Sequence, residues 1–273
     1  SISGALVNDT LIVGAGNDTL NGGIGIDTAD YSQAGAPVIV NLGLGTAQDG
    51  GGGTDTLSTI ENIVGSALGD DLTGSTEANM LEGGNGDDTL RGGGGDDTAQ
   101  GGDGVDYLYG GGGNDTLNGG NDNDRIYGQQ GDDRMYGGAG GDRLYGGAGN
   151  DTMTGNGGND TFYFDTALNA GTNVDVITDF SNVAGNNDGI RLNDAIFSAF
   201  AAGHTLTNAE FISGAGVTAA ATASQHIIYD TTTGWLYYDQ DGNGSTHSAV
   251  HFATVNQSGG GHPVLTAADF VVY

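Results

Sequence analysis

From Gly83 to Tyr163 the chain is nine nonapeptides in unbroken register: GGNGDDTLR, GGGGDDTAQ, GGDGVDYLY, GGGGNDTLN, GGNDNDRIY, GQQGDDRMY, GGAGGDRLY, GGAGNDTMT and GNGGNDTFY. The sixth residue is aspartate in all nine, and the eighth is apolar in all nine, from Leu90 to Phe162. A period held this strictly makes each nonapeptide one structural unit that buries its apolar face only by stacking on its copies. The last three residues alternate outward, inward, outward as a short strand, which sends the eighth side chain into the core. Glycines among the first four positions permit positive φ and close backbone approach in a turn. Two such units make one coil, so Asp88 should stack with Asp106 and Asp97 with Asp115.

Charge then narrows the chemistry. The 273 residues carry 35 acidic groups against five arginines and no lysine, a net charge of −30. That balance excludes nucleic acid and anionic lipid as partners, and it makes the metal-free chain self-repelling. Without cysteine there is no disulfide framework, so metal must do the stapling if the protein works outside the cell. No apolar run is long enough to span a membrane. The N-terminus, SISGALVNDT, lacks a charged n-region and an apolar h-region, and opens inside the repeat pattern. This suggests a fragment of a longer protein.

Around the regular block the pattern degrades. Residues 4–30 hold three more repeats, with Asp9, Asp18 and Asp27 at position six. The insert 31–64 offers a strand at Pro37–Leu42, a turn at Gly50–Gly53 and a second strand-like run at Leu57–Val64, expected to join the same solenoid. From Gly65 the phase resumes with Asp70 and then Asn79 at position six, giving fourteen repeats, eleven of them contiguous. Residues 1–163 therefore read as one all-β solenoid, and 164–273 as a mostly-β domain that caps it. In that domain Asp175–Phe180, Ile227–Tyr229 and Trp235–Tyr238 alternate as strands, and turns at Thr233-Gly234 and Asp241-Gly242 suggest two hairpins. LTNAEF (206–211) and LTAADF (265–270) suggest short capped helical turns.

Strands in a sheet lie about 4.8 Å apart, so aspartates on successive coils face one another across a short gap. Like charges that close destabilise the stack unless a cation lies between them. Carboxylate and turn-carbonyl oxygens, with no histidine or cysteine, select calcium over zinc.

The repeat resembles that of the RTX (repeat-in-toxin) parallel β-roll found in serralysin-type proteases and other type I secreted proteins. TADYS (28–32), GTDTLSTIENIVGSA (53–67), DVITDF (175–180), YDTTTGWLYYDQDGNG (229–244) and the terminal ADFVVY extend the likeness over the flanks. The resemblance implies calcium sites in which one loop supplies the carbonyls of positions two and four. The loop two repeats further on supplies those of positions one and three, and both give the position-six aspartate. One site would join Gly84, Gly86 and Asp88 to Gly101, Asp103 and Asp106.

Carried along the chain, this places carboxylate ligands at Asp9, Asp18, Asp27, Asp70, Asp88, Asp97, Asp106, Asp115, Asp124, Asp133, Asp142, Asp151 and Asp160. Backbone ligands fall at Gly84, Gly86, Gly93, Gly95, Gly101, Gly102, Asp103, Gly104, Gly110, Gly111, Gly112 and Gly113. They continue at Gly119, Gly120, Asn121, Asp122, Gly128, Gln129, Gln130, Gly131, Gly137, Gly138, Ala139, Gly140, Gly146, Ala148, Gly155 and Gly157. Nine repeats paired in this way give seven overlapping sites, and the whole chain about seven to ten ions. Asp122, Gln129 and Asn156 stand where glycine is usual, so the loops there should be looser, and neutral Asn79 should make a weak site. The resemblance also implies an uncleaved C-terminal type I secretion signal and folding on contact with extracellular calcium.

Three smaller signals remain. Asp239-Gln240-Asp241-Gly242-Asn243 opens like an EF-hand loop but has Val250 where the twelfth-position glutamate belongs; a plain turn and an extra calcium site both fit. His247 and His251, on a predicted strand, are too far apart to share zinc. Tyr109, Tyr127, Tyr145 and Tyr163 recur in every second repeat beside Tyr107, Arg125 and Arg143, either as a ladder or as a docking face for a partner domain or glycan. No catalytic motif is present, so this part of the molecule is not expected to be an enzyme. Two main functions follow, beside a free-standing calcium-buffering secreted protein. One is a calcium-folded secretion module, extracellular or at the cell surface, which meets type I export machinery and follows an upstream passenger domain. The alternative is an S-layer or adhesin protein whose roll is itself the material.

Overall fold

The computed structural model describes residues 1–244 and 246–273. The chain divides into two compact units, 1–134 and 135–273. Apart from one 3₁₀ turn, the regular structure of the described residues is strand, and no helix is long and apolar enough to cross a membrane.

Within the first unit the nonapeptides lay down strands alternately on two sheets. Thr89–Gly94, Tyr107–Gly112 and Arg125–Gln130 pair in parallel on one; Met80–Asn85, Thr98–Asp103 and Thr116–Asn121 pair in parallel on the other. The register is two repeats, Leu90 against Leu108 and Ala99 against Leu117. Each strand runs six residues rather than three, because the first glycines of the next repeat continue the ladder (Gly93 against Gly111) before the turn begins. This is a parallel β-roll. Leu81, Leu90, Leu108, Leu117 and Ile126 are fully buried in its core. Each contributes about 1.5–3 kcal/mol relative to exposure.

The insert does join these sheets, but not as two simple strands. Ile39–Asn41, Thr46–Gln48 and Thr54–Ser58 form an antiparallel meander, placed between Thr19–Asn21 and Asp71–Thr73. The run Leu57–Val64 is broken: Thr54–Ser58 belongs to one sheet, and Asn62–Val64 to the other, beside Thr28–Asp30. Thr59 makes the break with φ of 49°, a left-handed conformation that a β-branched residue seldom takes. Its hydroxyl accepts the Gly23 N–H at 2.8 Å.

In the second unit, Arg143–Ala148, Thr161–Phe164, Gly189–Leu192 and Phe270–Val272 form one parallel set. Thr152–Gly157, Asp175–Ile177 and Val250–Val255 form another. To the latter are added antiparallel Trp235–Tyr238 and Ile227–Asp230, then Phe211–Gly214. The two expected hairpins are these antiparallel pairs. Ile227–Asp230 lies between two other strands and is buried at all four positions rather than alternating. Phe162, Phe180, Phe197, Phe252 and Phe270 fill the interior. Of the two expected helical turns, Ala267–Asp269 is a 3₁₀ turn with a Thr266/Asp269 capping box. Residues 207–210 make only one hydrogen-bonded turn, held by Glu210 accepting the Thr207 N–H at 2.8 Å.

Candidate metal centre

In the regular repeats the first glycine of each turn lies against its own aspartate: a Cβ on Gly83, Gly92 or Gly101 would fall against Oδ2 of Asp88, Asp97 or Asp106. A full coil later, that carboxylate also reaches back: the position-six N–H of one coil donates to Oδ1 of the position-six aspartate in the next. Asp70 donates to Asp88, Asp88 to Asp106 and Asp106 to Asp124, at 2.7 to 2.8 Å. Asp97 donates to Asp115 and Asp115 to Asp133 in the alternate column. In the second unit Asp142 donates to Asp160 at 2.9 Å. Asp9 donates to Asp27 at 2.8 Å near the N-terminus. The stacking expected from the two-repeat coil is therefore mediated by one oxygen per carboxylate.

The other oxygen is left over. Oδ2 of Asp27, Asp88, Asp97, Asp106, Asp115 and Asp160 is buried without a hydrogen-bond partner. A buried carboxylate oxygen in that state costs several kcal/mol unless a cation or proton meets it. Backbone oxygens stand nearby. A Cβ built on Gly83 would fall against Asp88 Oδ2 and, at 2.7 Å, against the Gly101 carbonyl of the next coil. The carbonyls of Gly84 and Gly86 point toward Gly102 and Gly104 across the same gap, and the Asp103 carbonyl accepts the Gly86 N–H at 2.7 Å. Carbonyls of Gly93, Gly95, Gly110, Gly119, Gly128, Gly113, Gly140 and Gly155 repeat these directions in their own loops.

No cluster of three His, Cys, Asp or Glu residues suited to a metal exists among the described residues. An ion in this ladder must therefore draw on main-chain oxygens, which is the donor set of a hard cation such as calcium. The residues fit the ion: Asp88 Oδ2 with the Gly84, Gly86 and Gly101 carbonyls would hold one, and its charge would neutralise the orphaned carboxylate.

The electrostatics agree. Burial, reinforced by Asp106, Asp70 and Asp87, pushes Asp88 up to about 7 despite the Asp70 N–H. Burial and the Asp115 and Asp96 charges bring Asp97 to about 7. Burial leads again for Asp106 and Asp160, each raised to about 6, and it also raises Asp115. Without metal, these groups hold a proton to higher pH than an ordinary carboxylate does.

Some expected ligands sit differently. Asp70 is closed by its own loop, both oxygens taken by the Ser66 N–H and hydroxyl and the Val38 N–H. Asn79 uses its amide nitrogen to donate to the Glu61 carbonyl at 2.7 Å, supplying the positive partner that an aspartate would need from a cation. Asp9 accepts the Ala5 N–H at 2.8 Å. Asp122, Gln129 and Asn156 stand where glycine is usual. They keep the glycine-like backbone, with φ of 74°, 80° and 65°. His247 lies outside the strand Val250–Val255 that carries His251, and His251 stacks on Trp235 at 4.6 Å. On the outer face Tyr109 and Tyr127 stack at 4.9 Å, and Tyr145 and Tyr163 at 4.0 Å.

Five carboxylates that the period does not reach extend the ladder. Asp18 donates to Asp55, Asp27 to Glu61, Asp151 to Asp175 and Asp160 to Asp188, at 2.8 to 3.1 Å. Burial raises Asp188 to about 7, and burial together with Asp151 raises Asp175. The signal was present in a shorter pattern. Each is followed two residues later by a buried aliphatic: Leu57, Ile63, Ile177 and Ile190. The fifth, Asp49, accepts N–H groups of Gly16, Gly51 and Gly53 at 2.7 to 2.9 Å; these outweigh its burial and hold it below the usual carboxylate range.

The RTX calcium-binding nonapeptide repeat matches the chain in four copies, at residues 2–29, 64–99, 100–135 and 136–166. These are RTX repeats. Calcium binding by the roll follows from that family and from the orphaned oxygens together. The matched segments leave out residues 30–63, where the ladder is carried by Asp55 and Glu61 instead.

Proposed function

We propose that this chain is the calcium-folded export module of a secreted protein. It leaves the cell unfolded through a type I channel, follows a passenger domain, and closes its roll on meeting calcium outside. The observation that carries this reading is the buried, partnerless Oδ2 on successive aspartates, Asp88, Asp97, Asp106 and Asp115. With a net charge of −30, a chain so built gains its fold by binding metal. Sites in the extracellular affinity class, about 10⁻⁴–10⁻³ M, stay empty in a low-calcium cytosol and fill outside, and stacked repeats make filling cooperative. RTX repeats are typical of type I secreted proteins, which supports the export half of the reading.

Circular dichroism during a calcium titration tests the folding half. A cooperative coil-to-sheet transition is expected, with magnesium ineffective because it resists dehydration and demands octahedral geometry. Full sheet content in excess chelator would overturn it. The export half is tested by linking the chain to a reporter in a host with a type I channel, where removal of 164–273 should abolish release.

A further inference from the structure

We propose that the loop Asp239–Gly244 in the second unit holds its own divalent cation, calcium by its donor set, at a site outside the nonapeptide ladder. The loop reads Asp239-Gln240-Asp241-Gly242-Asn243-Gly244, with oxygen-bearing side chains at alternate positions and glycine sixth. This is the spacing with which a helix–loop–helix calcium loop begins. Here it connects two antiparallel strands, Trp235–Tyr238 and Val250–Val255, and not a pair of helices.

The buried oxygens point to a ligand. Asp239 is only 4% exposed, yet its Oδ1 has no hydrogen-bond partner, and Oδ1 of Asp241 is likewise buried and partnerless. The two carboxylates stand two residues apart in one loop. Two carboxylates pressed together out of water need a positive charge between them. No arginine or lysine follows Arg191 in the sequence. The nearest cationic candidate is His247, its Nδ1 3.8 Å from Asp241 Oδ2, on the side of that carboxylate already held by the Thr246 N–H at 2.9 Å and the His247 N–H at 3.2 Å. His226 is committed elsewhere, its Nδ1 bonded to the Asp239 carbonyl at 2.7 Å.

The rest of the loop is pinned in place. Asn243 donates its N–H to Thr222 O at 3.3 Å and its amide nitrogen to Ala221 O at 3.4 Å, leaving Oδ1 as an acceptor. Gly244 admits no side chain, since a Cβ there would fall against the Asp241 carboxylate. Asp239, Gly242, Asn243 and Gly244 line a cavity of about 410 Å³, open enough for water to complete the coordination. The unpaired groups of the loop itself are oxygens, which selects calcium over zinc; His247 on the same cavity wall offers a single nitrogen, short of a zinc set. With few carboxylates and no glutamate at Val250, the site belongs to the weak class, about 10⁻⁴–10⁻³ M. Its occupant would tie the hairpin loop to the segment 221–223.

Equilibrium dialysis of the whole chain at saturating calcium tests this. The double variant Asp239→Asn, Asp241→Asn should bind one ion fewer than the parent while keeping the sheet signal of the roll. An unchanged stoichiometry overturns the proposal. Should the variant fail to fold, crystals of the parent chain grown with calcium decide through the ion's anomalous signal. A peak in contact with Asp239 Oδ1 supports the site; a calcium-loaded ladder with no peak there overturns it.

Discussion

The Asp88 N–H donates to Oδ1 of Asp106 at 2.8 Å, and the second oxygen of Asp106 is buried with nothing to meet it. One carboxylate thus does two jobs: it fixes the register of successive coils and presents a charge to the gap beyond. Asp106→Asn separates them. The amide can still accept the Asp88 N–H but brings no charge, so the calcium midpoint for folding should rise about tenfold, roughly 1.4 kcal/mol. Asp103→Asn is the comparison. Its side chain is exposed and bonded to the Asn121 amide, so the midpoint should move less than about threefold, within the usual range for surface changes. Equal shifts in the two titrations would refute the division of labour.

Gly101 and Gly112 separate close approach from mere flexibility. A Cβ on Gly101 would press on the Asp106 carboxylate and lie 2.6 Å from the Gly119 carbonyl, whereas one on Gly112 would meet nothing within 4 Å. Gly101→Ala should therefore cost about 2–4 kcal/mol in the calcium-bound state, by strain and by displacing an ion's oxygens. Gly112→Ala should stay within about 1 kcal/mol of the parent. Thermal melts in saturating calcium compare them directly.

The legible part of this molecule is the part where local pattern and tertiary contact coincide. Position-eight burial, the two-repeat coil and the Asp88–Asp106 column all follow from one period, because each repeat's neighbours are copies of itself. The insert breaks that identity. Leu57 and Ile63 are close in sequence but face different sheets, and only the left-handed Thr59 between them records the change of direction. Asp175 and Asp188 were hidden for a similar reason: they follow their ladder partners by 24 and 28 residues, so their place depends on loop length rather than on period. At Asn79 the repeat pattern shows only a missing charge, and the amide's bond to the Glu61 carbonyl is a tertiary contact that no period records.

Asn79→Asp makes that last point measurable. The wild-type amide donates to the Glu61 carbonyl, and its Oδ1 accepts the Ser75 N–H at 2.6 Å. An aspartate keeps the second bond but sets a negative oxygen against the Glu61 carbonyl. At calcium just above the folding midpoint the variant should lose about 1–3 kcal/mol of stability. At saturating calcium the loss should shrink or reverse, since the new carboxylate completes a ladder position. Urea titrations at low and at saturating calcium test it, and a loss of the same size in both conditions would contradict the role given to the amide.

The raised aspartates set a pH dependence whose direction reverses with calcium. Burial places Asp88 and Asp97 at about 7 and Asp106 and Asp160 at about 6 in the metal-free fold, against roughly 3.9 in an unfolded chain. The fold therefore binds more protons than the coil throughout the interval between those values. Its stability is fully present below the unfolded value and is lost as pH rises through 6 and 7. In chelator, sheet content should increase when the chain is taken from pH 8 toward pH 5. With subsaturating calcium the opposite holds over the same interval, because protons compete for the oxygens that the ion needs, and the calcium midpoint should rise on acidification. Circular dichroism across both series is sufficient, and sheet content in chelator that falls toward pH 5 would mean that the buried carboxylates are not what keeps the metal-free chain open.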